Sequence, residues 1–137
     1  MEAISTIDKS MLPIVIVKFS KEEATEEQFD EHLNRMYKMY SEHDKVLVVF
    51  DTSQAKYLSS ALRIKQGKWL KKHHQLLRET IIAAVYVSRS FIMKTILKGI
   101  FLVHAPDWER KVVTDVDNGL KWANEKLKEK GYEIAAK

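Results

Sequence analysis

The run Val46-Leu47-Val48-Val49-Phe50 contains no polar residue, and most of it is β-branched. A segment this short and this apolar has no side to offer water. It reads as a strand covered on both faces, the pattern of a central parallel strand. Two other segments resemble it. One is Pro13-Ile14-Val15-Ile16-Val17-Lys18-Phe19, with the proline near its start, where a missing donor is tolerable. The other is Ile81-Ile82-Ala83-Ala84-Val85-Tyr86-Val87. Between them lie stretches of helical length, so the constraint is severe: helices must be packed on the faces of one sheet.

The remaining elements follow from local signals. Residues 3–7 read as a short edge strand, with Asp8-Lys9-Ser10 turning the chain. Thr25 and Gln28 have capping-box spacing, and Phe29, Leu33, Met36, Tyr37 and Tyr40 recur at helical intervals, which predicts a helix to about residue 43. A second helix is predicted over 60–78, with Leu62, Trp69, Leu70, Leu76 and Leu77 on its apolar face and Lys65, Lys68, Lys71 and Lys72 opposite. A third is predicted over 91–102, ended by Pro106. A short strand at 111–115 and a fourth helix over 116–130, stopped by Gly131, complete the chain. The order β-β-α-β-α-β-α-β-α predicts an α/β fold: a mixed, mainly parallel five-stranded sheet flanked by four helices, one domain over residues 1–137.

Composition narrows the function classes. There is no cysteine, which excludes disulfides and thiolate metal sites and fits a reducing cytoplasm. The N-terminus has no signal-peptide pattern, and the longest apolar-rich stretch, at 96–103, is too short to span a bilayer. The expected location is therefore cytoplasmic. Charge is unevenly spread: residues 20–44 hold eight acidic and three basic residues, while residues 56–78 hold seven basic and no acidic ones. Two helices of opposite sign are expected, either as solvated faces or with the basic one meeting an anionic partner.

The strand at 46–50 stops at Asp51-Thr52-Ser53, and Ser59-Ser60 opens the basic helix. In open α/β sheets ligands settle at the carboxyl ends of strands. Asp51, Thr52, Ser59, Ser60, Ser88 and Arg89 are thus the candidate ligand-binding residues, with Ser88-Arg89-Ser90 forming a cradle for phosphate or carboxylate. Each has a structural alternative: loop capping for Asp51 and Thr52, a helix N-cap for Ser59 and Ser60, a cap and a surface arginine at 88–89. The third helix carries more apolar surface than one buried face requires. Phe91, Met93, Leu97 and Phe101 are candidates for an apolar lid over the site, a homodimer contact or a weak membrane contact. No Gly-rich phosphate loop, nucleophile elbow or HExxH is present, so no catalytic residue, metal site or cofactor is assigned. The basic helix offers only Trp69 as an aromatic, on its buried side, which argues against nucleic acid.

The element order and lengths resemble the SpoIIAA-like (STAS-like) family, which is related in fold to STAS domains and compared with the lipid-binding CRAL-TRIO fold. The resemblance is carried by Leu12-Pro13 opening an apolar strand, Phe29, Val49-Phe50-Asp51-Thr52, Arg63, the strand ending Val87-Ser88, and residues 113–122. It implies a binding or regulatory module more than a reaction, with a small anionic or amphipathic molecule or a partner protein as its ligand. In anti-sigma-factor antagonists of the STAS fold, a serine in an Asp-Ser-Ser-Gly turn is phosphorylated. The matching place here is Leu58-Ser59-Ser60-Ala61, which keeps both serines but replaces the acid by Leu58 and the glycine by Ala61. Ser59 or Ser60 would be the phosphoacceptor under that reading.

Overall fold

The three apolar runs lie side by side in the middle of one sheet. In the computed structural model, which describes residues 3–20, 23–54, 59–90, 94–95 and 108–132, the elements are β1 (Ser5–Met11), β2 (Ile14–Phe19), α1 (Glu26–Glu42), β3 (Val46–Asp51), α2 (Ser60–Lys72), α3 (His74–Thr80), β4 (Ile81–Val87), β5 (Glu109–Val113) and α4 (Val116–Glu129). The sheet order is β1-β2-β3-β4-β5. β1 is antiparallel to β2, and every other pair is parallel. The mixed, mainly parallel five-stranded sheet and the α/β class are as the sequence predicts.

Side chains alternate between two covered faces. Ile14, Leu47, Val49, Ala83, Val85 and Val87 meet Ala123 and Leu127 of α4 on one face. Val15, Val17, Val46, Val48 and Ile81 meet Met36, Met39 and Tyr40 of α1 and Leu77 of α3 on the other. Right-handed crossovers between strands laid down in sequence order put α1 and α3 on the same face. That leaves the opposite face to α4, which comes last in the chain. A smaller cluster of Ile4, Phe29, Leu33 and Leu62 seats α2 on α1.

Three local expectations are corrected. The helix predicted over 60–78 is two helices, divided at His73, whose φ of −105° and ψ of 18° leave the helical region while its N–H still reaches the carbonyl of Trp69. Both halves pack on α1, α2 through Leu62 and Trp69 and α3 through Leu77, and Trp69 and Leu77 also reach the sheet core. Leu70, expected on the apolar face, is 39% exposed. The turn expected at Asp8-Lys9-Ser10 is an irregularity inside β1. Ser10 N–H donates to Asp8 Oδ1 at 2.9 Å, the register shifts between Asp8 and Met11, and the chain reverses at Leu12-Pro13 instead. β5 starts at Glu109 and stops before Asp115, because Asp115 caps α4 by accepting from Asn118 N–H. The helix predicted over 91–102 lies outside the described residues, except that Lys94 and Thr95 are helical.

The two oppositely charged helices are neighbours. Lys65 of α2 stands between Asp30 at 2.6 Å and Glu26 at 2.9 Å on α1. The acidic charge of α1 is thus partly met within the fold.

One buried polar group was not legible in advance. Ser5 Oγ and His32 Nδ1 share a hydrogen bond at 2.6 Å, and Arg35 Nη2 donates to both Ser5 Oγ and Ser5 O at 2.6 Å. Ser5 and His32 are both buried, with Phe19 and Phe29 against the imidazole. Burial first, and then the Arg35 guanidinium, hold His32 down at about 4, against an ordinary 6.5. The folded protein therefore keeps this imidazole neutral where the unfolded chain binds a proton. Its contribution is complete above the unfolded value of 6.5 and is lost as pH falls toward 4. The whole difference is on the order of 3 kcal/mol. The melting temperature should fall on acidification from pH 7 to pH 4.5, and His32→Gln should flatten part of that fall. Superimposable acid profiles for the two proteins would show that His32 does not carry the effect.

Two glycines make opposite predictions. A Cβ on Gly119 would stand 3.0 Å from Val85 Cγ1 and 3.3 Å from Val113 Cγ2, so a side chain there would crowd the buried Val85. Gly67 of α2 has open space around it. Gly119→Ala should destabilise by about 1–3 kcal/mol through overpacking. Gly67→Ala should stabilise by up to about 1 kcal/mol through helix propensity. Urea unfolding of the two variants checks both signs.

Candidate functional site

The parallel register brings the carboxyl ends of three strands to one level. Asp51 pairs with Val87, and Val87 with Val113. The ladder then continues past the strands: Thr52 N–H donates to Val87 O at 3.0 Å, Thr52 Oγ1 donates to the same carbonyl at 2.5 Å, and Ser88 N–H donates to Val113 O at 2.9 Å. Asp51, Thr52, Ser88 and Arg89 therefore converge at one edge of the sheet.

Most of their polar atoms hold that edge together. Asp51 is 6% exposed, and its Oδ1 accepts from Ser53 N–H at 3.0 Å and from Ser53 Oγ at 2.6 Å, closing a turn that ends β3. Ser88 is buried, and its Oγ accepts from Ser90 N–H at 3.3 Å. Asp115 accepts from Asn118 N–H and from Asn118 Nδ2, both at 2.8 Å, fixing the start of α4. These are capping and turn bonds of the kind that short polar side chains make wherever strands end.

What they enclose is an open cleft of about 230 Å³, lined by Ser53, Val87, Arg89, Asp115, Val116 and Asp117. Arg89 and Asp117 are exposed and make no ion pair among the described residues. One guanidinium and two carboxylates thus share the cleft, which is not the uniformly cationic cradle that Ser88-Arg89-Ser90 suggests in isolation. Sequence reasoning missed Asp115 and Asp117. The signal was there: an Asp that can cap a helix, placed right after a strand, must sit beside the neighbouring strand end once the sheet is parallel.

Ser59 and Ser60 are engaged elsewhere. Ser59 is the N-cap of α2, accepting from Leu62 N–H at 3.3 Å, and Ser60 Oγ accepts from Arg63 Nη2 at 3.2 Å. Both serines are exposed, and the helix they open is seated on α1 through Leu62. Phe91, Met93, Leu97 and Phe101, the expected lid or interface, lie outside the described residues. Among the described residues, no group of three or more His, Cys, Asp or Glu is arranged to hold a metal ion, and no helix is long and apolar enough to cross a membrane.

No protein-family model matches the chain, and no curated protein matches it. A likeness appears among solved structures. The crystal structure of an uncharacterized protein of the DUF3478 family from Shewanella loihica PV-4, described as having a SpoIIAA-like fold, is similar over 86% of this chain and 90% of that one, with a TM-score of 0.65 and 13% identity. At that identity the likeness concerns architecture alone, and it agrees with the sheet order, crossovers and helix placement above: this chain has a SpoIIAA-like fold.

Proposed function

We propose that the chain is a non-catalytic binding module whose site is the cleft at the carboxyl ends of β3, β4 and β5. Its ligand is small, brings an anionic group to Arg89, and offers a hydrogen-bond donor to Asp117. The observation that carries this reading is the division of labour at the strand ends. Asp51, Ser88 and Asp115 are occupied in turns and caps, while the guanidinium of Arg89 and the carboxylate of Asp117 stand exposed on the same cleft. An open site with one cation and one unoccupied carboxylate favours a ligand carrying both an acid and a donor, such as an amino acid or a hydroxy acid. The cleft volume of about 230 Å³ is below the ~300–1,000 Å³ typical of drug-sized ligands, which favours a small one. The strand ends are also where open parallel sheets ordinarily take ligands.

A thermal-shift panel of amino acids and 2-hydroxy acids tests this. A ligand present at about 100 times its Kd adds ~2.7 kcal/mol, which raises the melting temperature by several degrees. At least one compound should do so. Arg89→Ala and Asp117→Asn should each remove the shift while leaving the unliganded protein equally stable. A panel without effect, or a shift that survives Arg89→Ala, would rule out this site.

A second reading, regulation through a phosphoacceptor at Ser59 or Ser60, is supported by one specific observation. Ser60 is exposed at the N-terminus of a basic helix, and the Arg63 guanidinium already reaches its hydroxyl. A phosphate there would gain both the helix N-terminus and a guanidinium. Intact-mass analysis of protein from its native host should then show an added phosphate that Ser60→Ala abolishes. An unmodified mass in the wild type under all growth conditions excludes it.

A further inference from the structure

A second cleft opens beside α4, and Arg89 is not in its lining. It measures about 500 Å³ and lies between the edge strand β5 and the outer face of α4. Asn118, Lys121, Trp122 and Glu125 follow one another at helical intervals of three and four, so they line one face. Lys111 and Val112 come from β5, and Lys94 from the segment between β4 and β5.

The charges around it are sorted. On the adjoining surface, Lys126 takes Glu109 at 2.6 Å and Glu129 at 3.2 Å, and Lys130 reaches Glu109 at 3.7 Å. Glu109 and Glu129 are therefore occupied away from the cleft. Lys94, Lys111 and Lys121 have no ion pair among the described residues, and Glu125 is the acidic side chain in the described lining. Three cations against one carboxylate give a local positive potential, focused by a concave wall. That wall is partly apolar: Trp122 is half-buried and packs against the sheet core, with the Lys126 ammonium 5.4 Å from its ring centre. The indole lines the cleft and offers apolar contact area beside the lysines.

We infer that this cleft binds an organic phosphate, its phosphate held by Lys111, Lys121 and Lys94 and its flat or apolar body laid against Trp122 and Val112. The site is independent of the proposed ligand at Arg89. It requires both halves of the ligand: the lysines supply attraction and orientation, and the tryptophan supplies the contact area that a solvated phosphate alone lacks.

The full chain is titrated separately with 1-naphthyl phosphate, inorganic phosphate and 1-naphthol. The Trp122 indole N–H is followed in ¹H–¹⁵N spectra and assigned with Trp122→Phe. Naphthyl phosphate should shift that resonance saturably and bind at least about tenfold tighter than either partial probe. The Lys111→Gln/Lys121→Gln double variant should weaken it by about tenfold or more, as should high salt, with an unchanged melting temperature. Arg89→Ala should leave it untouched. Equal binding of 1-naphthol, wild-type binding by the double variant, loss of binding in Arg89→Ala, or a Trp122 resonance that never moves would each overturn the assignment.

Discussion

The fold depends on the double burial of β2, β3 and β4. Val15, Val17, the run from Val46 to Val49, and Ala83, Ala84 and Val85 are all fully buried, on faces that alternate residue by residue. Such strands are unstable in water and cannot sit at an exposed surface, so the helices have to be distributed over both sides. The distribution is then fixed by handedness. Strands added in sequence order through right-handed crossovers commit α1 and α3 to one face, and α4 is the described helix that covers the other. Close fitting follows from this. Ala83, Ala123 and Gly119 are small where α4 meets the sheet, and a Cβ on Gly119 would stand 3.0 Å from Val85 Cγ1.

The same constraint decides where function can reside. With both faces of the sheet covered, the polar chemistry of the chain is pushed to strand ends, helix starts and outer surfaces. At the strand ends much of it serves the fold: the Asp51 turn, the Thr52 bonds to Val87 and the Asp115 cap convert three parallel strands into a rigid rim. A shared SpoIIAA-like architecture does not say what is bound, because unrelated sites are grafted on common folds.

The central strands, the capping box at Thr25 and Gln28 and the stop at Gly131 were legible because each depends on residues close in sequence. Gly131 has φ 82°, and the Tyr132 N–H closes on Leu127 O at 2.8 Å, as a helix-ending glycine should. The break at His73 was not legible, because nothing local forbids a helix there. The Asp8 signal was read correctly as a local turn and wrongly as the end of a strand, since an Asx turn can also be absorbed as an irregularity within a β-ladder. The cluster of Ser5, His32 and Arg35 joins residues about 30 positions apart, and no pattern in either segment announces it. At the candidate site, Arg89 could be found from its strand, but its acidic neighbours come from the start of α4, and only the register brings them alongside.

The placement of α4 has a consequence for how the protein is made. Each strand pairs with the one before it in the chain, so β1 to β4 can assemble in the order in which they leave the ribosome. The face formed by Leu47, Val49, Val85 and Val87 then has to wait, because Ala123 and Leu127, which seal it, are synthesised after every strand. During that interval the nascent sheet presents a flat, β-branched hydrocarbon surface to its surroundings, the kind of intermediate that chaperones retain and that aggregates when they do not. Among the described elements, α4 is in this sense the step at which the half-built sheet loses its exposed apolar face.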